Sequence, residues 1–242
     1  MPLNMQKESE VSNILVVESK NDKIFLEALI NHLNYDIKVD TPICIDDYEC
    51  LEGLNNQQLI KTLKALKADI PKRGIEKIGI VIDIDDQGIE NRLEMVNQCV
   101  KSVFNNTEIL PNTSELITIP TDYQNEIEIA CYFTNVDNKG ELETVLKAIK
   151  TKNSPHADCL IEWRKCMEKN GYKPTDKDFD KFWISIYLRY DTCSKQEQKQ
   201  AGRKCSMNSF DYIMKKKLDI WNFEHPILED LKMFLNLFET ET

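Results

Sequence analysis

The sequence predicts an α/β fold: a mostly parallel sheet with helices on both faces, followed by a helical C-terminal region packed on it. Three observations carry this. Asn13-Ile14-Leu15-Val16-Val17 and Lys77-Ile78-Gly79-Ile80-Val81-Ile82 are short apolar, β-branched runs, which is how strands buried on both faces read. Each is followed by a segment with helical spacing, and β-α alternation specifies a parallel sheet. After about residue 155 the pattern turns wholly helical.

The elements follow in order. Residues 13–18 read as a first strand ending in Glu18. A helix runs from Asp22 to Leu33, with Phe25, Leu29 and Leu33 on one face and Asn21 as N-cap. A second strand covers 37–45 and ends at Asp46-Asp47. A helix over 55–69 turns Leu59, Leu63, Leu66 and Ile70 inward and is broken by Pro71 to Gly74. The strand 77–85 ends in Asp83-Ile84-Asp85-Asp86, and a helix over 88–104 follows. Strands are expected at 115–121 and 126–133, the second half-exposed, with Ile127, Ile129 and Cys131 alternating against Glu126, Glu128 and Ala130. A helix over 141–149 closes this part. Helices at 157–169, 176–190, 209–218 and 226–238 complete the chain. Residues 1–12 thus read as a disordered tail, 13–152 as the α/β domain and 153–242 as the helical region. Trp163, Phe179, Trp183, Trp221, Phe223 and Phe234 fall at helical spacing in that region, so packing is expected of them rather than base stacking.

Composition narrows the function. The 242 residues carry a net charge of −10, which argues against a protein that coats nucleic acid non-specifically. A late basic cluster, Lys195, Lys199, Arg203, Lys204 and Lys215 to Lys217, reads as a solvated helix face. No apolar run approaches a membrane span, and the polar N-terminus is no signal peptide, so a cytoplasmic protein without a membrane partner is expected. The 8 cysteines include no Cys-x-x-Cys pair and are expected to be reduced thiols. Zinc at His156, Cys159 and Cys166 is weighed and set below simple apolar filling, because the spacing is loose.

The chemistry concentrates in carboxylates. Parallel strands bring their C-terminal ends to one sheet edge, where ligands of open α/β folds bind. Glu18 and the pair Asp83 and Asp85 are therefore expected to converge there, with Asp86 as a further ligand. Carboxylates repel, so such a gathering calls for a counter-charge. Mg²⁺, or Mn²⁺, suits a few carboxylates and keeps room for substrate phosphates. Capping of the following helix accounts for one of these acids but not for all. Lys20 and Lys23 are candidates for steadying a phosphate.

On these residues a resemblance rests. Val17-Glu18-Ser19-Lys20-Asn21-Asp22-Lys23 with its helix, then Ile80-Val81-Ile82-Asp83-Ile84-Asp85-Asp86, resembles the Toprim domain of topoisomerases, primases and old-family nucleases. Ser19 stands where many Toprim proteins have Gly. Gly140-Glu141-Leu142-Glu143 and Trp221-Asn222-Phe223-Glu224-His225-Pro226 resemble small stand-alone prokaryotic Toprim-like proteins of unknown function. The resemblance implies a Rossmann-like Toprim sheet and a metal site at Glu18, Asp83 and Asp85. It adds Glu141 or Glu143 as an extra acid. The expected function is Mg²⁺-dependent phosphoryl transfer on nucleic acid, most simply as a nuclease. The alternative is a non-catalytic metal- or nucleotide-binding regulatory module, with phage or plasmid defence as a setting by analogy of fold. A haloacid-dehalogenase-type phosphatase ranks third, because Asp83-Ile84-Asp85 ends the third strand rather than the first and no Gly-Thr follows it.

Overall fold

A computed structural model describes residues 13–44, 53–85, 87–122 and 125–239. Its centre is a five-stranded sheet in the order β2-β1-β3-β5-β4. The strands are β1 (Asn13–Val17), β2 (Lys38–Val39), β3 (Lys77–Asp83), β4 (Ile117–Pro120) and β5 (Glu126–Thr134). All neighbours run parallel except the edge pair β4 and β5. The expected α/β class is what the chain adopts.

β1 is buried along its whole length and β3 at its five central residues, so apolar side chains serve both faces. One face carries α2 (Asn56–Arg73) and α3 (Gly88–Phe104), whose Leu59, Leu63, Val96 and Val100 pack against Ile14, Val16, Ile80 and Ile82. The other carries α1 (Lys20–Leu33) and the late helices α4 (Leu142–Ala148), α5 (Pro155–Lys169), α6 (Asp176–Ile186), α8 (Phe210–Lys216) and α9 (Glu229–Asn236), while the short α7 (Ala201–Lys204) packs Ala201 on Cys193 and Cys205 in a cluster of its own. Residues from most of these join Leu15, Val17, Val81 and Tyr132 in one core. The aromatics expected to pack do so: Trp183, Trp221, Phe223 and Phe234 are buried, and Trp183 stacks on Tyr187 with centroids 5.2 Å apart.

Several local expectations are corrected. The cap of α1 is Ser19, not Asn21. Its N–H donates to Asp22 Oδ2 at 2.9 Å, and the Asp22 N–H donates to Ser19 Oγ at 3.2 Å. The second strand is cut to Lys38–Val39 because Pro42 has no N–H for the ladder. Its continuation still follows β1, with Ile43 N–H donating to Val17 O and Cys44 N–H to Glu18 O, each at 2.9 Å. Asp46 and Asp47 lie outside the described residues. Pro71 does not break α2 but sits in its last turn, and Gly74 ends the helix at φ 62°. β5 is half-exposed only at its start: from Ile129 onward both faces meet a core, Ala130 and Tyr132 in one and Ile129, Cys131 and Phe133 in the other. β3 stops at Asp83, so Asp85 is not in extended chain but left-handed, at φ 50°.

The thiols are not all reduced. Cys193 and Cys205 form a disulfide, and Cys44 is also disulfide-bonded. Both Cys193 and Cys205 are buried, with Cα atoms 5.8 Å apart, so the fold sets them facing. That removes one support for the expected reducing compartment. Among the described residues no helix is long and apolar enough to cross a membrane.

Gly79 marks where the central strand meets the C-terminal helix. A Cβ there would collide with Leu15 and lie 2.9 Å from Phe238 Cζ. Gly79→Ala is therefore expected to lower stability by about 1–3 kcal/mol through overpacking, read as a lower urea midpoint. An unchanged midpoint would mean these side chains yield freely.

Candidate metal centre

β1 and β3 are neighbours, yet the chain leaves β1 toward β2 on one side and returns to β3 on the other. The sheet order reverses there, which opens a crevice at the strands' C-terminal ends. Glu18 follows β1 and Asp83 closes β3, so the two acids flank the crevice. The Asp83 N–H donates to Glu18 Oε2 at 3.3 Å.

The cleft at this point holds about 700 Å³ and is lined by Glu18, Asp22, Asp83, Glu141, Glu143 and Lys20, among others. Asp22 enters it because the capping box folds its carboxylate back over Ser19. Glu141 and Glu143 come from the start of α4. Lys177 and Lys181 come from α6. Glu18, Asp22 and Glu141 are 9%, 5% and 4% exposed, so these acids are held largely away from water.

Electrostatics divides the acids into two sets. Asp85 is ion-paired to the fully buried Arg92 of α3 and lies 3.3 Å from Lys177 Nζ. Glu141 lies 3.0 Å from Lys177 Nζ and 3.6 Å from Lys181 Nζ. Burial works against the Lys177 ammonium, but Glu141 and Asp85 outweigh it and raise its pKa. The inner acids have no such partner. Burial, then Asp22 and Asp85, pushes the Glu18 carboxyl up to about 7. Burial and Glu141 push Glu143 to about 7 as well. Asp22 is raised by burial, against the hydrogen bonds from Ser19. Asp83 is raised well above the ordinary value, by burial and then by Asp22, Glu18, Glu141 and Glu143, and its Oδ1 is sealed from solvent without a hydrogen-bond partner.

Of the residues singled out from sequence, Glu18, Asp83, Glu141, Glu143 and Lys20 line the cleft. Asp85 stands at its margin, turned to Arg92 and Lys177. Lys23 turns away: its Nζ donates to Asp40 O at 3.2 Å and lies 3.7 Å from Glu27. Asp86 lies outside the described residues. Asp22, Arg92, Lys177 and Lys181 are the members that the sequence reading missed. One signal for Arg92 was available, since it sits beside the apolar stripe Ile89, Leu93 and Val96. None existed for Lys177, which lies 92 residues from Asp85.

The zinc arrangement does not assemble. His156 Nδ1 is 2.7 Å from Asp191, while Cys159 and Cys166 are exposed free thiols whose sulfurs meet polar groups of their own helix. Among the described residues, three ligand atoms lie within 4.8 Å of one another only at Cys193, Glu197 and Cys205. Two of those share a disulfide, so the group is no metal site. Neither Glu18, Asp83 and Asp85 nor Glu18, Asp22 and Asp83 bring three ligand atoms within that span of one another.

The model of a family described as a protein of unknown function (DUF3226) matches residues 12–240. No curated protein and no solved structure matches the chain.

Proposed function

The chain belongs to the DUF3226 family, and we propose that it is a Mg²⁺- or Mn²⁺-dependent phosphoryl-transfer enzyme acting on nucleic acid, most simply a nuclease of Toprim type. One observation carries the reading. Glu18, Asp22 and Asp83 gather at the crevice between β1 and β3 with no ion pair among the described residues, Arg92 and Lys181 acting on Glu18 and Asp22 only without direct contact, and Asp83 keeps a sealed, unpaired oxygen. An apolar or neutral ligand would leave that repulsion standing, whereas a hard divalent cation removes it. The donors fit such an ion, being all carboxylate oxygen. Glu18 and Asp83, with Asp22 beside them, would hold it.

When bound, the ion supplies Lewis-acid polarisation of a phosphoryl oxygen. The chain's own residues do the rest. Glu143 titrates near neutrality and lines the same cleft, so its carboxyl can take a proton from an attacking hydroxyl and return it. Lys20, exposed at the start of α1, is free to meet a phosphate at the mouth. The Toprim reading is supported by the same placement, since a glutamate after one strand and an aspartate ending its neighbour are the residues that carried the resemblance.

The test is incubation with single- and double-stranded DNA and RNA, with Mg²⁺ or Mn²⁺ and with EDTA. Cleavage is expected only with the ion. Glu18→Gln or Asp83→Asn is expected to cost about 10²–10³-fold, the worth of several kcal/mol of charge stabilisation. Cleavage unaffected by either substitution would sink the proposal. A second reading, a regulatory module that binds metal or nucleotide without turnover, is favoured by the net charge of −10 and by Lys177 and Lys181 being taken up by carboxylates. Calorimetric binding of ion or nucleotide with no turnover of any substrate would establish it.

A further inference from the structure

Two-ion and one-ion phosphoryl-transfer sites differ in how much negative charge the protein leaves uncompensated. Here the acids at the strand ends are compensated unevenly. Asp85 and Glu141, two carboxylates, face three protein cations: Arg92, Lys177 and Lys181. Glu18, Asp22, Asp83 and Glu143, four carboxylates, have no ion pair among the described residues. Lys177 sits at the junction. Its Nζ bridges Asp85 Oδ1 at 3.3 Å and Glu141 Oε2 at 3.0 Å, binding two carboxylates from different elements as a bridging metal would. Its ammonium has three donors, so one is left over after these two.

We infer that Lys177 is a built-in second cation: its ammonium occupies the outer, Asp85–Glu141 half of the site, so that the cleft takes one divalent ion, at the inner acids, and not two. The inference rests on the metal reading of the cleft and adds to it the number of ions and the residue that sets it. Lys177 is a positioning residue in this account, since it acts through the carboxylates that it holds. A lysine here has a physical advantage over a second ion, because it is tethered and cannot be lost by dilution or chelation. Arg92 cannot play the part, being fully buried beneath Asp85 on the side of α3.

The experiment counts bound Mn²⁺ per chain, by calorimetry and by the loss of the free-ion paramagnetic resonance signal, on the full chain. The wild type is expected to bind one ion. Lys177→Met keeps the length of the side chain and removes its charge. It is expected to raise the count to two, with a lower melting temperature in EDTA. Lys177→Arg keeps the charge and is expected to stay at one. Lys177 is about half exposed, with a side chain 46% accessible, so these replacements leave the core untouched. Two ions on the wild type, or one ion still on Lys177→Met, overturns the inference while leaving the metal reading standing. No ion on the wild type overturns the metal reading itself, and the inference with it.

Discussion

In EDTA, the melting temperature of the protein is expected to fall as the pH is raised from 5 to 8. The groups responsible are Glu18 and Glu143, whose carboxyls are pushed from the ordinary value of 4.5 up to about 7. Between those values the folded chain holds protons that the unfolded chain has released. Stability therefore decreases with rising pH across that window, the reverse of the usual carboxylate behaviour. For Glu18 alone the loss is about 3 kcal/mol, since one pKa unit corresponds to about 1.4 kcal/mol. The acids repel one another, so the losses of Glu18 and Glu143 are shared and do not add. At roughly 2–4 °C per kcal/mol for a chain of this size, the fall is about 6–12 °C. Asp83 and Asp22 act in the same direction. Saturating Mg²⁺ or Mn²⁺ at pH 8 is expected to restore most of it, because an ion that binds only the folded state stabilises by mass action. A melting temperature that rises with pH in EDTA would show that these acids are not buried together.

How much of this site could be read in the sequence follows from how each residue is placed. Glu18 and Asp83 were legible because they end β1 and β3, whose apolar runs can only be buried strands. The bounds of α3 were legible too, with Gly88 and Phe104 set by an unbroken apolar stripe. Asp22 was hidden in plain view. Ser19-x-x-Asp22 is a capping pattern, and reading Asn21 as the cap put Asp22 at the first helical position instead of the third, where it closes the capping box. Asp85 was placed in the right region, although the strand expected over 77–85 ends two residues before it and the backbone there turns left-handed. Glu141 was seen only through resemblance. Lys177 and Lys181 were invisible, because their place depends on α6 packing against α4, and no local pattern encodes that distance in sequence. The strands thus announce the acids, while the cations that balance them arrive by tertiary packing.

Replacing Asp83 by Asn is expected to stabilise the metal-free protein while removing its response to metal. The side chain keeps its shape, and its unpaired Oδ1 no longer carries charge. In the wild type at pH 8, Asp83 must either ionise beside Glu18 and Asp22 or hold a proton against the solvent pH, and both cost free energy. Asn carries neither cost. The gain is about 0.5–2 kcal/mol, the usual range for a single stabilising substitution. It should appear as a melting temperature several degrees higher in EDTA at pH 8, and it should shrink as the pH is lowered, because the raised pKa of the wild-type acid lets protonation remove its charge. The same variant is expected to lose the rise that Mg²⁺ or Mn²⁺ gives the wild type. This opposition separates the two accounts of the cluster. If the carboxylates served the fold, for example as helix caps, removing one would lower stability with or without the ion. If they are gathered for a cation, the metal-free protein bears a strain that the ligand relieves, and relieving it by substitution forfeits the ligand. An Asp83→Asn protein that melts lower in EDTA, or that still gains the full metal-dependent rise, would put Asp83 outside the ion's coordination.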